Sequence, residues 1–239
     1  MPASENHGSD LNRCRQCPTR RVCIAAAANE DQLNRLPQHL RCIETVPSGH
    51  HLFYAGDSAN AQYHVRSGMV KTYTINAQGD EYVTGFYLPG DIVGVVHSDN
   101  CHAESALALE TASVCELNDE ALVQLAEIGL TTALVKRLAV SANTAMRQQI
   151  NLQHTSAQGR FAGFCMMFSA RLSRLGRCPT HLPTPMSRTD IANYLGMTLE
   201  SLSRVISKLQ ATKVVRAKRD HIEILKPETL KTLGLHVDY

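Results

Sequence analysis

Tryptophan is absent from this chain, and aromatic residues make up only 5% of its 239 positions. Three of the few phenylalanines, Phe161, Phe164 and Phe168, fall with Leu172 at helical spacing, which reads as a core stripe and excludes a base-stacking platform there. No apolar stretch reaches the roughly 20 residues of a membrane-spanning helix. The N-terminus, Met-Pro-Ala-Ser-Glu-Asn-His, lacks the basic-then-apolar order of a secretory leader. A cytoplasmic protein without membrane association is therefore expected. Thiols stay reduced in that compartment, so eight cysteines argue for metal or redox chemistry over disulfides. The histidines at 50, 51, 64, 97 and 102 have no H-x-H spacing. That counts against a cupin-type metalloenzyme, which needs clustered histidines and an acid on barrel strands. No enzymatic activity is expected.

What is present begins with Cys14, Cys17 and Cys23, a C-x2-C-x5-C run. Three thiols so close together suit a soft metal centre better than a core, and thiolates select zinc, copper(I) or iron–sulfur clusters. The spacing alone leaves that choice open. Cys42, Cys101, Cys165 and Cys178 have no such spacing and are expected to be packing thiols. Charge is divided unevenly: residues 1–155 carry a net −5 and residues 156–239 a net +7, giving the total of +2. A basic C-terminal third on an acidic remainder is an electrostatic footprint for nucleic acid.

Residues 42–117 read as short β segments, at His51–Tyr54, Tyr63–Arg66, Met69–Ile75, Tyr82–Tyr87, Ile92–Val96, Ser105–Ala108 and Ser113–Leu117. Glycines at 56, 68, 79 and 90 recur every 11 or 12 residues, and such regular turns predict an all-β roll or barrel. A short helix is expected over Asn29–Leu40. From Asp119 the pattern becomes helical, first to about Glu127 and then from Thr131 to about Gln153 without proline or glycine. The possible seam of the long helix is Leu134, Leu138, Ala142, Ala145, Gln149 and Leu152, at steps of three and four, and it predicts a partner helix in a homodimer. Residues 176–185, with three prolines, read as a loop.

Around residue 190 the residues fit a helix-turn-helix. Ser187 and Asp190 form a capping pair, Ile191, Leu195, Met197, Leu202 and Val205 point inward, Gly196 sits in the turn, and Thr198 caps the second helix. Glu200, Ser201, Ser203, Arg204, Ser207 and Lys208 are left outward on that helix. Arg204 can donate twice to guanine, and Glu200 can accept from cytosine. Ser203 shares their face as a base contact. Ser187, Thr189, Thr198, Ser201, Ser207 and Lys208 serve the backbone or the frame. Val214–Arg216 and His221–Ile224 form a hairpin through Lys218-Arg219-Asp220. A basic tip beside a helix-turn-helix makes a winged helix, with Lys218 and Arg219 on phosphates.

In this order (cysteine cluster, β-roll, long helix, winged helix) the chain resembles the CRP/FNR family of bacterial transcription regulators over essentially its whole length, and its oxygen-sensing FNR branch most closely. The resemblance rests on Cys14-Arg-Gln-Cys17-Pro-Thr-Arg-Arg-Val-Cys23, Leu109-Glu-Thr-Ala-Ser-Val-Cys115-Glu, Gln78-Gly-Asp-Glu, Thr84-Gly-Phe and Leu199-Glu-Ser-Leu-Ser-Arg204. It implies an α+β fold with a cyclic-nucleotide-binding-like β-roll, a long dimerisation helix and a C-terminal winged helix-turn-helix. The corresponding divisions are a cysteine-rich segment at 1–30, the roll at 31–118, connecting helices at 119–154 and the DNA-binding domain at 155–239. It further implies a 4Fe-4S cluster on Cys14, Cys17, Cys23 and Cys115, double-stranded DNA with TTGAT-type half-sites, and RNA polymerase as a partner contacted by Gly79, Asp80 and Glu81. Zinc, haem-linked nitric oxide or thiol oxidation are the alternative signals. No cyclic nucleotide is expected, because Glu104 stands where such binders place a phosphate-holding arginine. The dimer helix also departs from the branch, with Arg147 where an acid is common.

Overall fold

The computed structural model describes residues 13–36, 40–94, 100–154 and 156–234. The cysteine segment makes two short 3-10 turns, Arg20–Val22 and Ile24–Ala27. Helix α1, Glu30–Arg35, begins at a capping box in which Asn29 and Gln32 satisfy each other's backbone N–H groups. It is shorter than the expected Asn29–Leu40, part of which lies outside the described residues.

Eight strands follow: β1 Arg41–Val46, β2 His51–Phe53, β3 Ala61–Ser67, β4 Val70–Ile75, β5 Glu81–Tyr87, β6 Ile92–Val93, β7 Ser105–Ala108 and β8 Ala112–Asn118. They form two antiparallel sheets, in the orders β1-β8-β3-β6 and β2-β7-β4-β5. Small and β-branched residues, among them Val65, Val70, Val93, Ala106 and Ala108, fill the space between them. Strand β1 was not expected. Its polar composition and exposed residues hide the alternation by which a strand is read.

Asn118 caps helix α2, Asp119–Glu127, and α3 runs from Thr131 to His154. Ser156 caps α4, Ala157–Arg174. Phe161, Phe164, Phe168 and Leu172 of α4 are all buried to 1% exposure or less, as core residues. They share one core with Met69, Val83, Phe86 and Leu88 of the roll and with the C-terminal helices. Gly163 is required where α3 meets α4, because a Cβ there would stand 2.5 Å from the Asn151 side-chain oxygen.

Beyond α4, strand β9 (His181–Pro183) lies in the segment read as a loop. Its prolines obscured it, yet at the sheet edge Pro183 has no ladder bond to lose. Helices α5, Arg188–Tyr194, and α6, Leu199–Ala211, form the helix-turn-helix. The Ser187/Asp190 capping box and the Thr198 cap are both made, and Gly196 takes φ +58°. Strands β10, Val215–Ala217, and β11, His221–Ile224, complete a three-stranded wing in the order β10-β11-β9. Helix α7, Pro227–Leu233, which the sequence reading did not anticipate, buries Leu230 against α4. Among the described residues no helix is long and apolar enough to cross a membrane.

Candidate metal centre and nucleic-acid interface

The C-x2-C-x5-C run is fixed by its own local bonds. The Thr19 hydroxyl lies 3.1 Å from the Cys17 sulfur, and the Cys23 sulfur accepts the Ala25 N–H at 3.3 Å, capping the second 3-10 turn. Cys115 comes from β8, far along the chain. Even so, Cys14, Cys17, Cys23 and Cys115 border one cleft, partly open to solvent, together with His64 and Arg66 of β3. Among the described residues no three Cys, His, Asp or Glu side chains converge on a single ion position. The donors around the cleft are four thiols, the ligand type that zinc and iron–sulfur clusters share.

The cleft strongly disfavours bare thiolates. Burial pushes the Cys14 thiol up to about 12 and the Cys23 thiol up to about 11. The Cys115 thiol is raised by the hydrogen bond it shares with Cys42 and then by burial. A bound cationic centre would draw these protons off. Arg66, ion-paired with Glu44 at 2.8 Å, sets a fixed positive charge beside the thiols. His64 is 4% exposed, and its Nε2 has no hydrogen-bond partner. Burial lowers its pKa to about 4, so the ring is neutral.

Three of the four thiols assigned to packing occupy other settings. Cys165 is a core residue at 0% exposure. Cys178 is exposed, Cys101 is half-buried in an isolated bridge with Ser58, and Cys42 lies 3.2 Å from Cys115, sulfur to sulfur. The sequence gives no signal for that last contact. It arises because β1 and β8 pair in the register Cys42 opposite Cys115.

The cysteine segment also meets the long helix. Ile24, Ala25, Leu33 and Leu36 share a core with Leu117, Leu125, Ile128, Leu130 and Leu134, and Leu138 packs against it. Leu134, expected on a dimer seam, is buried in that core, and Leu138, expected beside it, is half-buried against the same core. Leu152 is half-buried beside the turn at Gly196. Ala142 and Ala145 remain exposed and Arg147 is half-buried. The apolar residues left outward are Val135, Ala139, Val140, Ala142, Ala145, Met146 and Ile150.

On the DNA-binding face, Ser187, Thr189, Thr198, Glu200, Ser203, Arg204, Ser207, Lys208, Lys218 and Arg219 are all exposed. Ser201 is half-buried and engaged with the Thr198 cap. Ser203 donates to the Leu199 carbonyl at 2.8 Å, so its hydroxyl is partly spent on its own helix. Glu200 and Arg204 meet at 3.1 Å in an exposed pair. Arg188 was not foreseen. It donates to the Lys218 carbonyl at 2.8 Å and ties the wing tip to the helix-turn-helix.

The turn Gly79–Asp80 is an exposed hairpin tip closed on the Asn76 side chain. Glu81 is drawn back from it. Lys71 of β4 binds Glu81 at 2.7 Å and Asp190 of α5 at 2.8 Å, and Asn193 bonds the Val83 N–H and the Glu81 carbonyl. Glu104, in the stretch compared with nucleotide binders, accepts the Thr84 hydroxyl.

Residues 159–233 match a Crp-like helix-turn-helix domain and residues 43–128 a cyclic nucleotide-binding domain. The fumarate and nitrate reduction regulatory protein of Vibrio cholerae is 34% identical over 225 residues, spanning 92% of this chain and 90% of the relative. The protein of the same name from Escherichia coli K12 is 34% identical over 226 residues, 93% of this chain and 90% of its own. Among solved structures, FixK2 from Bradyrhizobium japonicum superposes with a TM-score of 0.73 at 25% identity, covering 83% of this chain and 99% of that one. A sensing roll joined by a long helix to a winged helix-turn-helix defines a DNA-binding transcription regulator, not an enzyme. The chain belongs to the CRP/FNR family.

Proposed function

We propose that this regulator senses oxygen through a 4Fe-4S cluster on Cys14, Cys17, Cys23 and Cys115, and that it binds an inverted repeat of TTGAT-type half-sites as a homodimer in the cytoplasm. The observation that carries the reading is the single cleft bordered by four thiols from two distant segments. When bound, the cluster supplies an oxygen-reactive centre whose conversion or loss ends specific DNA binding. The chain's own residues do the rest. Arg66 offsets the charge of the thiolates, and His64 borders the cleft as a neutral imidazole. Leu134 and Leu138 join the cysteine segment to α3, so a change in that segment bears on the helix that pairs. The two copies meet along the outward stripe Val135, Ala139, Ala142 and Met146, at steps of four, three and four.

Arg204 and Glu200 read a guanine and a cytosine in the major groove. Their mutual pair is exposed and worth only about 0.3–0.5 kcal/mol, against about 1–3 kcal/mol for a bidentate base contact, so the pair yields to DNA. Lys218 and Arg219 hold phosphates. Gly79 and Asp80 are the polymerase contact, without Glu81, which is committed to Lys71. No cyclic nucleotide is used, since Glu104 would repel its phosphate.

The test is iron and sulfide analysis with a visible spectrum on protein purified without oxygen. About four of each per chain are expected, in a brown protein that bleaches in air. Stoichiometric zinc, or a colourless protein that binds the repeat equally well with and without air, would overturn the reading.

A further inference from the structure

Cys42 is not one of the four cleft thiols, yet its sulfur lies 3.2 Å from that of Cys115. The two residues face each other across the antiparallel β1–β8 ladder. Directly opposed residues in such a ladder have Cα atoms about 4.5–5.5 Å apart, inside the range a disulfide accepts. A bond of about 2.05 Å therefore needs side-chain rotation and no strand movement. Arg13 hydrogen-bonds Cys42, and Arg66 stands beside both thiols, so the pair sits in a positively charged, partly buried niche. Neither thiol is locked in the apolar core, unlike Cys165.

We propose that Cys42 and Cys115 form an intramolecular disulfide in protein without cluster, and that this bond withdraws Cys115 from the ligand set. The second half rests on the four-cysteine reading; the first does not. The oxidant is a small-molecule disulfide such as oxidised glutathione. One cysteine, as thiolate, attacks a sulfur of that disulfide and releases one small thiolate, leaving a mixed disulfide. The other cysteine then attacks the protein sulfur of the mixed disulfide and releases the second. Two protein thiols are oxidised to one S–S bond, one small disulfide is reduced to two thiols, and the two protons pass from the cysteines to the leaving thiolates. Cys115 can thus hold iron or Cys42, and the two states exclude each other. Cluster rebuilding then requires reducing conditions as well as the absence of oxygen.

The full-length protein, stripped of metal and reduced, is exposed to oxidised glutathione, its remaining free thiols are alkylated, and its peptides are mapped by mass spectrometry. A Cys42–Cys115 cross-link is expected as the main product, lighter by two hydrogens than the reduced pair. Free Cys42 with Cys115 unreacted, or Cys115 joined mainly to Cys14, Cys17 or Cys23, would overturn the disulfide. In a second measurement the oxidised protein is given ferrous iron and sulfide, with and without dithiothreitol, beside an identically treated Cys42→Ala variant. At least tenfold less cluster absorbance is expected in the wild type without dithiothreitol, restored by it, while the variant takes up cluster in both cases. Equal uptake by oxidised wild type and variant would overturn the competition. If fully reduced wild type takes up no cluster, the four-cysteine reading and the competition fall together, and the peptide map alone still decides the disulfide.

Discussion

Replacing any one of Cys14, Cys17, Cys23 or Cys115 by serine removes one corner of a four-thiolate site, and each variant is expected to lose the visible spectrum of the anaerobic protein. Cys178→Ser, at an exposed position, is the control that keeps it. A cluster that persists in Cys115→Ser but disappears in the Cys42/Cys115 double variant would make Cys42 the fourth ligand. For base reading, Arg204→Ala is expected to cost about 1–3 kcal/mol on the cognate site and to relax discrimination at one guanine. Lys218→Ala should weaken all sequences alike and flatten the salt slope by about one unit. Binding of both variants to a panel of single-base changes at fixed salt checks this. A uniform loss in Arg204→Ala would leave Arg204 as a phosphate contact or merely the partner of Glu200. These side chains were legible in the sequence because a helix-turn-helix is a local frame: caps, turn glycine and inward positions all lie within about two turns of each other. Cys42 was not, because its importance comes from strand register.

The long helix shows how the span of an element is more legible than the role of each of its faces. Its span was evident from the absence of proline and glycine. Its expected seam opens on two leucines, Leu134 and Leu138. Hydrophobicity marks a buried position without saying what buries it. Here the cysteine segment and α2 bury Leu134 and partly cover Leu138, while Val135, Ala139, Ala142 and Met146 stay exposed as the stripe proposed for the dimer. Met146→Glu, at a position 53% exposed, is therefore expected to raise the dissociation constant of the anaerobic dimer at least tenfold while leaving the unfolding midpoint of the chain nearly unchanged. Leu134→Ala should do the opposite, lowering stability by about 2–4 kcal/mol through a core cavity. Sedimentation and urea titration of the two variants separate these outcomes. A dimer equally tight in Met146→Glu would place the interface on another face of α3.

At the scale of the whole molecule, the roll and the DNA-binding unit are joined by a shared core and by ion pairs, Arg171 with Asp91 and Lys71 with Asp190. Lys71 is 9% exposed at its side chain and holds Asp190 and Glu81 together. Removing it leaves the Asp190 carboxylate partly buried without its cation, so Lys71→Ala is expected to destabilise the chain by about 2–4 kcal/mol in urea unfolding. The bridge also carries a pH signature. Burial alone would raise the Asp190 pKa, but the hydrogen bonds from Lys71 and Ser187 hold it below the ordinary carboxylate value. Its contribution is therefore fully present above the ordinary value near 3.8 and is lost as pH falls through the lower folded one. Wild type and Lys71→Ala should converge in stability toward acid. A constant gap down to the acid transition would show that Lys71 acts through packing alone.

The sequence by itself determined the elements whose signals are local. The cysteine run, the glycine-spaced strands, the capped helix-turn-helix and the phenylalanine stripe each lie within one continuous segment, and the basic C-terminal third is a matter of composition alone. Their order along the chain was sufficient for the family. Only the tertiary structure decided what depends on residues far apart in sequence. It paired Cys42 with Cys115 through a ladder register, turned Leu134 and Leu138 inward, recruited Pro183 to the edge of the wing and tied Glu81 to Asp190 through Lys71. The physical reason is common to all four. Each is set by which surface covers a residue, and burial belongs to the packed chain, whereas caps, turns and periodicity belong to the segment that carries them.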